Sequence, residues 1–191
     1  MSVDRFALCF VILACLTPVH AATPPFAAPS GDRAKALPVG SLAPDFTAID
    51  AAGKSHKLSE FRGKIVVLDF WATWCGVCKV ELPHLVELAR DTHAQGVEVV
   101  ALCVWDSDKK FDRYVSKNPV GPGFTYLRDP AGSAKEKGIF ATAYRGESLP
   151  STYVIDREGR ITVGVWGWLA SDRFVEDALA SLGVKLQNRR P

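Results

Sequence analysis

Trp71-Ala-Thr-Trp-Cys-Gly-Val-Cys-Lys-Val-Glu-Leu-Pro83 stands between two apolar segments of different period. Before it, Lys64-Ile-Val-Val-Leu-Asp-Phe70 has the length and β-branched content of a buried strand. After it, Val77 to His93 places Val77, Val80, Leu82, Leu85, Val86, Leu88 and Ala89 at mostly helical spacing. Cys75-Gly-Val-Cys78 therefore falls where a strand hands over to a helix. A helix N-terminus presents unpaired N–H groups and a partial positive charge, which stabilise an anion. A thiolate is favoured there over a thiol, and the thiolate is the attacking species in disulfide exchange. Residues three apart on a helix are neighbours, with Cβ atoms about 5–6 Å apart, so a small closure lets the two sulfurs bond. Cys75, at the mouth of the helix, is expected to attack; Cys78, one turn inside, is expected to resolve the mixed disulfide.

Two plainer readings compete. A purely structural disulfide would close a loop of four residues, for which loop closure contributes only about 2 kcal/mol. A zinc site needs about four ligands, whereas the chain offers a single CxxC, Cys103 near the end of a separate strand, and scattered histidines. Redox chemistry without a metal is the expectation.

With those residues in view, Phe70-Trp-Ala-Thr-Trp-Cys-Gly-Val-Cys-Lys79 resembles the active-site segment of thioredoxin-fold proteins. Gly40-Ser-Leu-Ala-Pro-Asp-Phe46, Gly63-Lys64 and Glu81-Leu-Pro83 resemble more narrowly the extracytoplasmic TlpA/ResA group of the AhpC/TSA-type redoxins, from about Val39 to about Leu182. The resemblance implies an α/β fold, a thioredoxin-like three-layer sandwich whose mixed central sheet has helices on both faces. It implies a thiol-disulfide oxidoreductase with no cofactor beyond its redox-active disulfide, Cys75–Cys78. It also implies client proteins bearing thiols or disulfides, with apocytochrome c haem-site cysteines among them, and an upstream membrane electron donor.

A chain of 191 residues, 48% hydrophobic, can bury one sizeable core. Its net charge of +2 comes without a clustered basic face, so nucleic acid is not an expected partner. Phe6 to Leu16 is an apolar run of eleven residues behind Arg5. It is shorter than the roughly 20 residues of a membrane span and suits a signal h-region. Val19-His-Ala21 supplies small residues where a signal peptidase reads, giving a leader of residues 1–21. Two other fates are an uncleaved segment and lipidation at Cys15 in the imperfect lipobox Ile12-Leu-Ala-Cys15, which would tether the chain to a membrane. Each places the domain outside the cytoplasm, periplasmic or secreted or membrane-anchored, where disulfides persist. Residues 22–39 read as an Ala/Pro-rich spacer, 40–185 as the domain and 186–191 as a tail.

Within the domain, Phe46–Ile49 and Ser55–Leu58 read as a short hairpin before the core. Pro83 lies inside the CxxC helix and should kink it. Val97–Val104 is a second buried strand, joined by a right-handed crossover to form a parallel pair. Asp108–Asn118 reads as a polar helix with Phe111, Tyr114 and Val115 on one face, Phe124–Leu127 as a strand and Ala134–Ile139 as a brief helix. The stretch from Asp108 to Phe140 resembles the insertion typical of the TlpA/ResA group. Ser151–Ile155 and Arg160–Val165 form an antiparallel hairpin, and Ser171-Asp172 caps a last helix, Phe174–Leu182, stopped at Gly183.

Several residues around the cysteines admit both a functional and a plain reading. Pro150 alone is strand punctuation. By resemblance, however, Leu149-Pro-Ser-Thr152 is the segment that holds a cis-proline beside the CxxC, keeps metal from the sulfurs and leaves the Leu149 backbone open for a client to add as a strand. Glu81, three residues after Cys78, is ordinarily a solvated helix glutamate; in the TlpA/ResA group a glutamate here tunes the thiols. Asp69 lies in the buried strand, where a carboxyl should have a raised pKa suited to exchanging a proton with Cys78. Thioredoxin has an aspartate there and many TlpA/ResA-like proteins an asparagine, so two carboxyls are candidates. Val77 stands where thioredoxin has proline, a departure that bears on redox poise. Trp74 reads as a flat apolar surface for clients, Trp71 as core and Cys103 as a buried, inert hydrophobe; Trp166 and Trp168 suit either client binding or packing.

Three rivals share the sequence: a disulfide oxidase or isomerase, a thiol peroxidase and a Cu(I) chaperone with soft cysteine ligands. The peroxidase draws on Ala43-Pro-Asp-Phe46, which also occurs in the related peroxiredoxins. Those proteins carry threonine or serine three residues before the peroxidatic cysteine, where this chain has Ala72 before Cys75.

Overall fold

The computed structural model describes residues 36–167 and 173–186. The leader, most of the spacer, Trp168, the Ser171-Asp172 cap and nearly all of the tail lie outside the described residues. The first hairpin is β1 (Thr47–Ile49) and β2 (Ser55–Lys57). The apolar run that precedes the cysteines is β3 (Ile65–Trp71), and all seven of its residues are buried. Next come α1 (Gly76–Thr92), β4 (Val97–Cys103), α2 (Asp108–Lys117) and β5 (Phe124–Arg128). The short α3 (Ile139–Thr142) follows, then β6 (Ser151–Ile155), β7 (Ile161–Trp166) and α4 (Phe174–Ser181).

The seven strands make one mixed sheet in the order β2-β1-β5-β4-β3-β6-β7. β3, β4 and β5 run parallel, whereas β6 and β7 are antiparallel additions beside β3. Both β3 and β4 are apolar on both faces because each is covered on both. Glu98 interrupts β4 near its start, where Lys64 Nζ donates to it at 2.9 Å and Thr125 Oγ1 at 3.0 Å. The first hairpin is part of the sheet rather than a preface to it, since Ile49 pairs with Arg128 of β5. The insertion-like stretch likewise supplies β5, an integral strand.

Alternation along β3 divides the core. Ile65, Val67 and Trp71 face α1, α4 and Phe111 of α2, whereas Val66, Leu68 and Phe70 face Phe140, Tyr144, Leu58 and Phe46. The sandwich therefore carries its long helices on one face; α3, short 3₁₀ turns and the N-terminal segment cover the other. The brief helix expected at Ala134–Ile139 is instead a 3₁₀ turn, Lys135–Lys137, followed by α3. Between them Gly138 adopts an extended backbone, and Asp129 Oδ2 accepts from the Ile139 N–H.

α1 continues through Pro83 to Thr92, with the proline exposed. One expectation for the helix changes. Val77 and Val80, counted with the apolar stripe, are 44% and 73% exposed. The buried stripe is Cys78, Glu81, Leu82, Leu85, Leu88, Ala89 and Thr92. At about 100° per residue, Val80 is turned some 200° from Cys78 and so points away from the sheet.

Candidate active site

β3 and β4 are parallel and in register from Ile65↔Val97 to Trp71↔Cys103, so the loops that leave them emerge side by side at one sheet edge. In open α/β sheets, ligand chemistry collects at these carboxyl ends of the strands. The β3 loop is Ala72-Thr-Trp, closed by a Cys75 N–H bond to the Ala72 carbonyl at 3.0 Å. Cys75 is the N-cap of α1, with an extended backbone, and its Sγ accepts the Cys78 N–H at 3.2 Å. That N–H is one of the donors a helix start leaves unpaired. Cys75 and Cys78 are joined in a disulfide, with Cα atoms 5.3 Å apart. Cys75 is 7% exposed and Cys78 is wholly buried.

Phe70 pairs with Ser151, so the segment entering β6 runs beside the loop that leaves β3. The Leu149–Pro150 peptide there is cis. The Pro150 carbonyl accepts from Gly167 N–H at 2.8 Å, whereas the Leu149 backbone makes no backbone hydrogen bond among the described residues. The Leu149 side chain is half-buried against both halves of the core. Trp166 is buried, with its Nε1 3.4 Å from the Tyr153 hydroxyl, which favours packing over client contact. Trp74, next to Cys75 in the chain, is 55% exposed, and Val77 and Val80 on α1 are exposed as well.

Both candidate carboxyls are buried on the α1 side of the sheet. Asp69 alternates with Val67 and Trp71 and so faces α1. Its Oδ1 accepts from Thr152 Oγ1 at 2.8 Å, and its Oδ2 has no hydrogen-bond partner among the described residues. Burial pushes the Asp69 carboxyl up to about 7, against the smaller opposing effect of the Thr152 bond. Glu81 is 1% exposed and one turn beyond Cys78, which rules out the solvated helix glutamate. One turn further, His84 Nε2 lies 3.1 Å from Glu176 Oε1 and ties α1 to α4. Cys103 is buried; burial first, then the Asp106 charge, push its thiol up, which leaves it inert at neutral pH. Among the described residues no group of three or more His, Cys, Asp or Glu side chains is arranged to hold a metal ion.

The sequence reading missed the loop after β4. Asp106 Oδ2 accepts from the Thr73 N–H at 2.8 Å and from Thr73 Oγ1 at 2.6 Å, and Oδ1 accepts from the Ser107 N–H at 2.8 Å. Trp74 Nε1 donates to the Trp105 carbonyl at 3.1 Å. The available signal was positional: Asp106 lies just past the carboxyl end of the strand parallel to β3.

This geometry has counterparts in known proteins. The AhpC/TSA family pattern matches residues 39–163. The thiol-disulfide oxidoreductase ResA of Geobacillus kaustophilus is 34% identical over 137 residues, covering 72% of this chain and 74% of its own. ResA of Bacillus subtilis is 34% identical over 128 residues, 67% of either chain. Among solved structures, the putative thiol:disulfide interchange protein DsbE from Chlorobium tepidum superposes with a TM-score of 0.64 at 30% identity, covering 77% of this chain and 99% of that one. With a thioredoxin-like sheet, a disulfide at the start of α1 and these relatives, the chain belongs to the AhpC/TSA family as a ResA-like thiol-disulfide oxidoreductase.

Proposed function

We propose that the protein works outside the cytoplasm as a reductant of client disulfides, with Cys75 as nucleophile and Cys78 as resolving thiol. The Cys75 thiolate attacks one sulfur of a client disulfide, forming a mixed disulfide and releasing the other client sulfur as a thiolate. Cys78 then loses its proton and attacks Cys75 Sγ. The second client sulfur leaves, and Cys75–Cys78 is oxidised. Two electrons and two protons pass to the client, and an upstream membrane donor returns the electrons. No step as written requires a metal or an organic cofactor.

One observation carries the reading: Cys75 caps α1 with its sulfur on the Cys78 N–H at 3.2 Å, an arrangement that favours a thiolate over a thiol. Asp69 and Glu81, both buried on the α1 side of the sheet, are the groups proposed to take the Cys78 proton. Trp74 and the open Leu149 backbone ahead of Pro150 are proposed to receive the client. The resemblance to the TlpA/ResA group supports apocytochrome c cysteines as clients. It also supports residues 1–21 as a leader or tether, 22–39 as a spacer, 40–185 as the working domain and 186–191 as a tail.

The same helix start favours the opposite direction if it stabilises the thiolate strongly enough. The equilibrium reduction potential of Cys75–Cys78, measured in glutathione or dithiothreitol buffers, separates the two. A value near that of thioredoxin, about −270 mV, supports a reductase; a value near that of DsbA, about −120 mV, sinks it and makes the protein an oxidase or isomerase.

A further inference from the structure

The turn that presents Cys75 is held from outside its own segment. Thr73 and Trp74 lie between β3 and the cysteine, and each is bonded to the loop after β4. Thr73 gives both its N–H and its hydroxyl to one oxygen of Asp106, and Trp74 gives its indole N–H to the Trp105 carbonyl. Asp106 is 7% exposed and accepts three hydrogen bonds, two of them from this turn.

The loop that supplies these acceptors is itself braced. Trp105 has φ 58°, a left-handed backbone that a bulky residue rarely adopts and that persists only where its surroundings hold it. Those surroundings are visible. The Val104 N–H donates to the Trp71 carbonyl at 2.9 Å, Lys135 Nζ sits 4.1 Å from the centre of the Trp105 ring, and Phe140 packs against that ring at 5.3 Å. Of the neighbouring charges, Asp108 pairs with Arg128 at 3.0 Å, whereas Asp129 accepts from the Ala131 and Ile139 N–H groups and, after Asp106, also acts on the Cys103 thiol.

Asp106 therefore brings a negative charge to within two residues of Cys75. Its field already acts with burial on the neighbouring Cys103 thiol, which it disfavours as an anion. A negative charge bonded to the turn just before Cys75 acts against the positive helix start that favours a thiolate there. A less stabilised thiolate is a less stabilised reduced form, and so a stronger reductant. We propose that Asp106 is a positioning residue of the redox site: through Thr73 it fixes the turn that presents Cys75, and its charge sets the Cys75–Cys78 pair toward reducing clients. The proposal deepens the reductase reading and rests on Cys75 as the attacking thiol.

The experiment compares Asp106→Asn, Asp106→Ala and Thr73→Val in the full mature chain. The readouts are the glutathione equilibrium constant and the pH midpoint of Cys75 alkylation by iodoacetamide. Asp106→Asn keeps an oxygen acceptor and removes the charge. It is expected to shift the equilibrium toward the dithiol by about tenfold, or about 30 mV upward, and to lower the alkylation midpoint. Asp106→Ala is expected to shift both further, because it also frees the turn. Thr73→Val keeps the charge and is expected to move the equilibrium less than twofold.

If Asp106→Asn unfolds at lower denaturant but leaves the potential and the alkylation profile unchanged, Asp106 is a structural brace and the proposal falls. A shift toward the disulfide overturns it as well. Cys75→Ser, run alongside with an insulin-type disulfide client, tests the underlying reading separately: residual exchange would remove Cys75 as nucleophile, whatever Asp106 does.

Discussion

Asp69 shows how far one residue can be read before its neighbours are known. A carboxyl inside an apolar strand must be neutral or paired, and among the described residues it has one hydroxyl partner and no cation. Its folded pKa of about 7 lies above the ordinary value of 3.8. Folding therefore binds a proton between these values, and stability falls as pH rises from about 4 to about 7, then levels off. The difference corresponds to about 4 kcal/mol at full ionisation. Asp69→Asn is expected to flatten this pH dependence and to raise stability at pH 8 by a few kcal/mol, as checked by urea unfolding from pH 4 to pH 8. If Asp69 also takes the Cys78 proton, the same variant slows resolution of a preformed mixed disulfide; an unchanged rate would leave that role to Glu81. Glu81 gives the complementary lesson. Its helix position was legible, but its burial was not, because helix phase alone leaves Glu81 at the margin of the apolar stripe.

At the scale of elements, α1 carries the site and anchors it. Leu85 is wholly buried on the sheet side of α1, among the residues of the larger core half. Leu85→Ala is expected to cost about 2–5 kcal/mol, read as a lower urea midpoint, while the reduction potential stays near that of the parent. A parallel shift in potential would mean that the helix start is not independent of its packing further along. The helix, β3, β4 and the β6–β7 hairpin were all legible, since each is a long periodic segment or a turn between two β-branched runs. The stretch from Ala134 to Thr142 was not, because its backbone is set by Asp129, an acceptor from outside the segment.

For the whole molecule, redox state and stability are two sides of one cycle. A domain that reduces clients has a disulfide form more stable to unfolding than its dithiol form, whereas a strong oxidant has the reverse. The oxidised chain is therefore expected to unfold at higher guanidinium concentration than the reduced chain. A reduced form of equal or greater stability would contradict the reductase reading independently of any client. The core half on the α1 side contributes to this coupling, since Cys78 lies in the same buried cluster as Trp71 and Leu82.

The amino-acid sequence by itself determined what depends on neighbours in the chain: a buried strand running into a helix, two cysteines one turn apart at its start, and a proline ahead of the strand that pairs beside it. These follow from periodicity, capping and spacing, which act over a few residues. Only the tertiary structure decided which helix face meets the sheet, and so why Glu81 is inside while Val77 and Val80 are outside. It alone decided that the first hairpin extends the sheet beyond β5, and that Asp106 reaches Thr73 across 33 residues of chain. Contacts of that kind arise where parallel strands end together, and local propensity holds no record of which loops will meet there.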